Sequence, residues 1–140
     1  MRAMLMRTCL ADMVAPSVPR AAAAVLERVG VEVVVPRGQT CCGQPAWSSG
    51  HPDQARPVAR RALRAFAGED PVVVPSGSCA AMIRHGYPEL FAGRPEEDEA
   101  RRMAERTVEL SQFLAQRGLV PRPEGSGSVT YHDSCHMLRI

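Results

Sequence analysis

Two adjacent cysteines followed by glycine, Cys41-Cys42-Gly43, stand between an upstream Cys9 and a downstream Cys79. Vicinal cysteines make poor structural elements, because a disulfide between neighbours is badly strained and paired thiols gain nothing as packing. As thiolates, the four sulfurs form a soft donor set suited to zinc, copper(I) or an iron–sulfur cluster. The candidate metal- and cofactor-binding residues are therefore Cys9, Cys41, Cys42 and Cys79. Cys135, between Ser134 and His136, is a second candidate site. No side chain is singled out as catalytic.

Two rival readings of the same sulfurs stay open. Four thiolates would satisfy a structural zinc domain, although zinc sites usually pair their ligands as Cys-x₂₋₄-Cys, which is lacking here. A metal-free thiol redox switch would use Cys41 or Cys42, activated by a nearby helix N-terminus. His132 and His136 flank Cys135 and read as hydrogen-bonded strand-end residues. The haem-attachment pattern is excluded, since no cysteine stands three residues before Cys135. Ser76-Gly77-Ser78 lacks the spacing of a phosphate-binding loop.

The elements that must position these sulfurs alternate between strand and helix. Ala3–Thr8 reads as a strand, followed by a helix with Ser17 as N-cap, Pro19 early, and an apolar face of Ala22, Val25, Leu26 and Val29. Gly30 stops it, and Val31–Val35 has the apolar, β-branched character of a buried parallel strand. A loop carries Cys41-Cys42-Gly43-Gln44-Pro45. The next helix runs to Phe66 with Ala55, Val58, Ala59, Ala62, Leu63 and Phe66 inward, and Pro57 in its first turn or at a kink. Val72–Val74 is a third strand, and Ser76-Gly77-Ser78-Cys79 turns into a short helix. Tyr87–Phe91 reads as a loop with one helical turn.

Pro95 opens a longer helix with Glu96–Glu99 at its positive end, Glu97/Arg101 and Asp98/Arg102 pairs, and an inner face of Met103, Thr107, Leu110 and Leu114. Pro121–Ser128 is a turn or linker, and Ser128–His132 a last strand leading to Cys135. This order predicts an α/β fold: a parallel sheet of βαβ units with helices on both faces. Every cysteine segment then follows the carboxyl end of a strand, and in a parallel sheet those ends share one edge, where ligands bind.

Composition narrows the function classes. A chain of 140 residues suits one domain, and its 45% hydrophobic content is that of a globular protein. Arginine supplies all the basic charge, for a net charge of +2, which is too mild to indicate nucleic acid or a membrane surface. One Trp, two Tyr and three Phe offer no base-stacking platform. Ala3-Met4-Leu5-Met6 is too short for a signal-peptide core, and nothing approaches a membrane span. The expected compartment is the cytoplasm, where cysteines serve as ligands or redox groups rather than disulfides. Arg56, Arg60, Arg61 and Arg64 share a helix face, read as solvated surface or a docking patch for an acidic partner.

Thr8-Cys9-Leu10, Cys41-Cys42-Gly43-Gln44-Pro45-Ala46 and Pro75-Ser76-Gly77-Ser78-Cys79-Ala80-Ala81-Met82 together resemble the cysteine-rich CCG-domain family. Its members include the cysteine-rich subunit of heterodisulfide reductase and glycolate oxidase iron–sulfur subunits, and the closer likeness is to its lactate utilisation protein A branch. Tyr131-His132-Asp133-Ser134-Cys135-His136 resembles the opening of the family's second repeat. The resemblance implies a first CCG domain over residues 1–125, with 126–140 opening an incomplete second unit, as in a truncated chain. It implies an iron–sulfur electron-transfer subunit of a complex oxidising L-lactate to pyruvate, with glycolate or a heterodisulfide as alternative substrates. The implied partners are a ferredoxin-like iron–sulfur subunit and a third subunit. The fullest family motif ends Cys-x-x-Cys, and here Met82 takes the last place. Four thiolates match an ordinary [4Fe–4S] cluster, whereas a non-cubane cluster would lack one ligand.

Overall fold

In a computed structural model of the chain, residues 1–119 together with 127, 128 and 130 are described. Strands β1 (Arg2–Leu5), β2 (Glu32–Val34), β3 (Val72–Val74) and β4 (Thr107–Glu109) form one sheet in the order β2-β1-β3-β4. All three pairings are parallel, with Ala3 opposite Val33, Leu5 opposite Val73, and Val73 opposite Val108. The fold is the α/β sheet expected from the alternation of elements.

Strand periodicity explains the two-sided core. Met4, Met6, Val72 and Val74 point to one face, where they pack against Ala55, Ala59, Ala62 and Leu63 of helix α4 (Pro52–Ala65) and against Phe66. Ala3, Leu5, Val73 and Val108 point to the other, against Ala22 and Leu26 of α2 (Ser17–Arg28) and Phe113 of α8 (Leu110–Gln116). Burial on both sides is why β1 and β3 read as apolar runs rather than alternating patterns. β2 is different. It lies at the sheet edge, so Glu32 is exposed and Val35, just beyond it, is 45% exposed, against the buried strand expected there.

Several elements depart from the sequence reading. Ser17 is the first residue of α2 rather than its N-cap, which is Pro16, and Val25 turns partly to solvent. Pro57 lies in the second turn of α4, and the helix runs on through it. Gln44–Ser48 forms a short helix, α3, instead of extending the cysteine loop. Tyr87–Phe91 is not a loop. α5 (Gly77–Ala81), a π turn (Met82–Gly86) and α6 (Tyr87–Leu90) follow one another without a break, with Tyr87, Leu90 and Phe91 buried.

The largest difference is in the helix expected from Pro95 to Leu114. It ends at Arg106 as α7 (Glu97–Arg106), and Thr107–Glu109 extends into β4 before α8 begins. The β-branched Thr107 and Val108 pair with Val72 and Val73, and burial at the sheet outweighs continuing the helix. Glu97 bonds Arg101 as expected, and its other oxygen accepts from the Gly93 amide at 2.7 Å. No helix among the described residues is long and apolar enough to cross a membrane. The strand expected at 128–132, Cys135 and the boundary at residue 125 lie outside the described residues, apart from Ser128 and Thr130.

Candidate metal centre

The strand order sets up a crevice. The chain passes from β1 outward to β2, then returns to place β3 on β1's other flank, so the connections leaving β1 and β3 diverge. Such a reversal, at the carboxyl ends of the strands, is where open parallel sheets bind ligands. Cys9 follows β1, Cys41 and Cys42 follow β2, and Cys79 follows β3, so three adjacent strands deliver sulfur to one edge.

Each arm has its own support. Cys9 is the first residue of α1 (Cys9–Val14), and the buried Thr8 before it has φ 58 and ψ 129. Thr8 is the single non-glycine residue with positive φ among those described, a conformation costing on the order of 1–3 kcal/mol that the surroundings must impose. Gln39 supplies part of that constraint. Its Oε1 accepts from the Arg7 amide at 2.9 Å, while its Nε2 donates to the Leu5 and Pro36 carbonyls at 3.3 and 3.0 Å. One side chain thereby ties the exit of β1 to the loop that leads to Cys41.

The Cys41–Gly43 turn depends on glycine. Gly43 has φ +87, a left-handed conformation, and a Cβ there would lie 3.2 Å from the Ala55 carbonyl oxygen. Its N–H donates to Cys41 Sγ at 3.4 Å. Cys42 is almost completely buried, and its carbonyl accepts from the Tyr87 hydroxyl at 3.0 Å. Cys79 sits in the first turn of α5, where the hydroxyls of Ser76 and Ser78 hydrogen-bond each other at 3.3 Å.

The thiols influence one another's protonation. Interaction with the Cys42 thiol, assisted by Ser76 and Ser78, holds Cys79 down to about 6 despite the opposing effect of burial. Interaction with Cys79, reinforced by burial, pushes the Cys42 thiol far up. Burial, then interaction with Cys41, raises Cys9.

The donor set can be tested against the groups it might hold. Among the described residues, no three of His, Cys, Asp and Glu stand close enough to chelate one ion as they are placed. Tetrahedral zinc at a Zn–S distance of about 2.3 Å needs its sulfurs about 3.8 Å from one another, all six ways. Thiols set along the ends of three strands suit a larger polynuclear group better than a single ion. Polar groups without partners lie close by: the buried Arg7 Nε and Thr40 Oγ1 make no hydrogen bond among the described residues. Both residues line a cavity of about 150 Å³ together with Thr8 and Cys9. Four free thiols, the Gly43 amide donating to Cys41, and unspent polar atoms beside Cys9 fit an anionic thiolate cluster. Met82 takes no part. It is fully buried, with its sulfur pressed against Gly86, and fills the core.

Thr8, Gln39 and Tyr87 hold the segments that carry these cysteines, and nothing in their residue types pointed to that role. The arginine face is partly neutralised, since Arg56 pairs with Asp53 and Arg60 with Glu96, leaving Arg61 and Arg64 exposed.

A family profile described as a cysteine-rich domain, CCG, matches residues 4–84, a span that contains Cys9, Cys41, Cys42 and Cys79. The whole chain is 48% identical to lactate utilization protein A of Geobacillus thermodenitrificans and 48% identical to that of Geobacillus kaustophilus. It is 46% identical to the Shouchella clausii protein of the same name. In each case the match covers 59% of the relative, so the chain spans about three-fifths of the length of these proteins. No solved structure matches it.

Proposed function

The chain belongs to the CCG cysteine-rich domain family, and we propose that Cys9, Cys41, Cys42 and Cys79 hold an iron–sulfur cluster that relays single electrons in lactate utilisation. The observation that carries this reading is that four free thiols follow the carboxyl ends of three adjacent parallel strands, along one edge of the sheet. When bound, such a cluster supplies reversible one-electron transfer. The protein's own groups would set how readily that happens. The Gly43 amide donates to the Cys41 sulfur, which would offset negative charge that grows as an electron arrives, and the Ser76 and Ser78 side chains favour the thiolate of Cys79. Cys9, Cys41 and Cys79 are only half-buried, which leaves an approach for a donor or acceptor at the sheet edge.

On this reading the two electrons released when a 2-hydroxy acid becomes a 2-oxo acid pass through the site one at a time. A ferredoxin-like iron–sulfur subunit and a third subunit would be the partners, and this chain need not touch lactate. Glycolate or a heterodisulfide would be served by the same relay. A [4Fe–4S] cluster matches four thiolates, with the non-cubane type as the alternative.

The test is anaerobic reconstitution with ferrous iron and sulfide, on this chain and on a protein with the full length of its relatives. Equal amounts of iron and sulfide, broad visible absorption and an electron paramagnetic resonance signal on reduction are expected. A colourless protein that takes up zinc alone, or no metal, would overturn the relay and favour the structural-zinc or thiol-switch readings.

A further inference from the structure

We infer that Tyr87 is a positioning residue that latches the Cys41–Gly43 turn onto the helix carrying Cys79, and that the π turn exists to aim it. The role of the turn as part of a cluster site rests on the reading above; the latch itself does not.

The geometry follows from helical phase. Cys79 lies in α5 and Tyr87 opens α6, with the π turn between them. On an unbroken α-helix a residue at i+8 points about 80° away from residue i. A π turn inserts one residue, so Tyr87 takes the phase of i+7, about 20° from Cys79 and on the same face. Both residues therefore address the Cys41–Gly43 turn. Tyr87 is fully buried, and its hydroxyl donates to the Cys42 carbonyl at 3.0 Å. The Phe91 ring, edge-on at 6.1 Å and 82°, fixes the phenol from behind. Gly86 gives the turn its room, since a Cβ there would approach the Met82 sulfur to 2.6 Å.

The consequence is local. Cys42 is almost completely buried, and the Tyr87 hydroxyl donates to its carbonyl. A buried carbonyl left without that donor would carry the cost of its lost hydration, whereas the phenol O–H satisfies it and holds the backbone of the turn in place.

The test compares wild type with Tyr87→Phe, which keeps the ring and removes only the hydroxyl. In metal-free protein, amide hydrogen exchange at Cys42 and Gly43 should quicken about tenfold, the loss of one buried hydrogen bond, while α2 exchanges as before. In reconstituted protein, iron release to a chelator should quicken to a similar degree. 3-Fluorotyrosine at position 87, a stronger donor, should slow both, and it keeps the question answerable if Tyr87→Phe fails to fold. Unchanged exchange at Cys42 and Gly43 in either protein overturns the latch. Failure of wild type to bind iron, with the exchange effect present, overturns the cluster reading and leaves the latch standing.

Discussion

Cys42 and Cys79 are shifted in opposite directions, and the asymmetry has measurable outcomes. In metal-free protein Cys79, held down to about 6, should alkylate half-maximally near that pH, with Cys9 and Cys42 unreactive until well above 9. Site-resolved mass spectrometry after brief iodoacetamide exposure reads this directly. The sign for stability follows: folded Cys79 binds fewer protons than unfolded Cys79 between about pH 6 and the ordinary thiol range, so stability rises with pH there. The urea midpoint should therefore climb from pH 6 to pH 8 and lose this part of its slope in Cys79→Ala. Replacing Cys9, Cys41, Cys42 or Cys79 singly by serine should abolish stoichiometric iron and sulfide, while the folded circular dichroism spectrum persists. These sulfurs were legible because residue type alone announces them. Thr8 and Gln39 were not, because their roles lie in a backbone angle and in bonds to distant carbonyls. Tyr87 was hidden by the π turn, which removes the regular spacing that would have linked it to Cys79.

Elements were readable where one period dominated and obscure where two competed. β1, β3, α2 and α4 emerged because valine runs and amphipathic spacing each pointed one way. Met103, Thr107, Leu110 and Leu114 also keep helical spacing, so nothing local announced that Thr107–Glu109 leaves the helix for β4. Only the unfilled flank of β3 decides it, and that is a property of the assembled sheet. The Cys41–Gly43 turn is the reverse case, with its geometry written into one residue. Gly43→Ala should destabilise the protein by about 1–2 kcal/mol from the left-handed backbone alone, with the close Ala55 carbonyl adding to the cost. A lowered thermal midpoint together with reduced iron retention is the expected result of differential scanning calorimetry and iron counting.

At the scale of the whole molecule, the sheet separates two apolar layers that share no side chains. Leu63 sits fully buried in one and Leu26 in the other. Each truncation to alanine should cost roughly 2–5 kcal/mol, and the double variant should cost their sum to within about 0.5 kcal/mol. Urea unfolding of the four proteins checks this, and strong coupling would show that the layers are not independent. The two-layer plan was legible from the alternation of strands with helices, but the order β2-β1-β3-β4 was not, since periodicity says nothing about which neighbour a strand chooses. That order has a biosynthetic consequence. No short peptide holds more than two of the four thiols at Cys9, Cys41, Cys42 and Cys79, so the proposed cluster would have no complete set of ligands until the third strand had docked. Its insertion would then act as a checkpoint that reports completed assembly, and the binding energy it added would belong to the finished molecule alone.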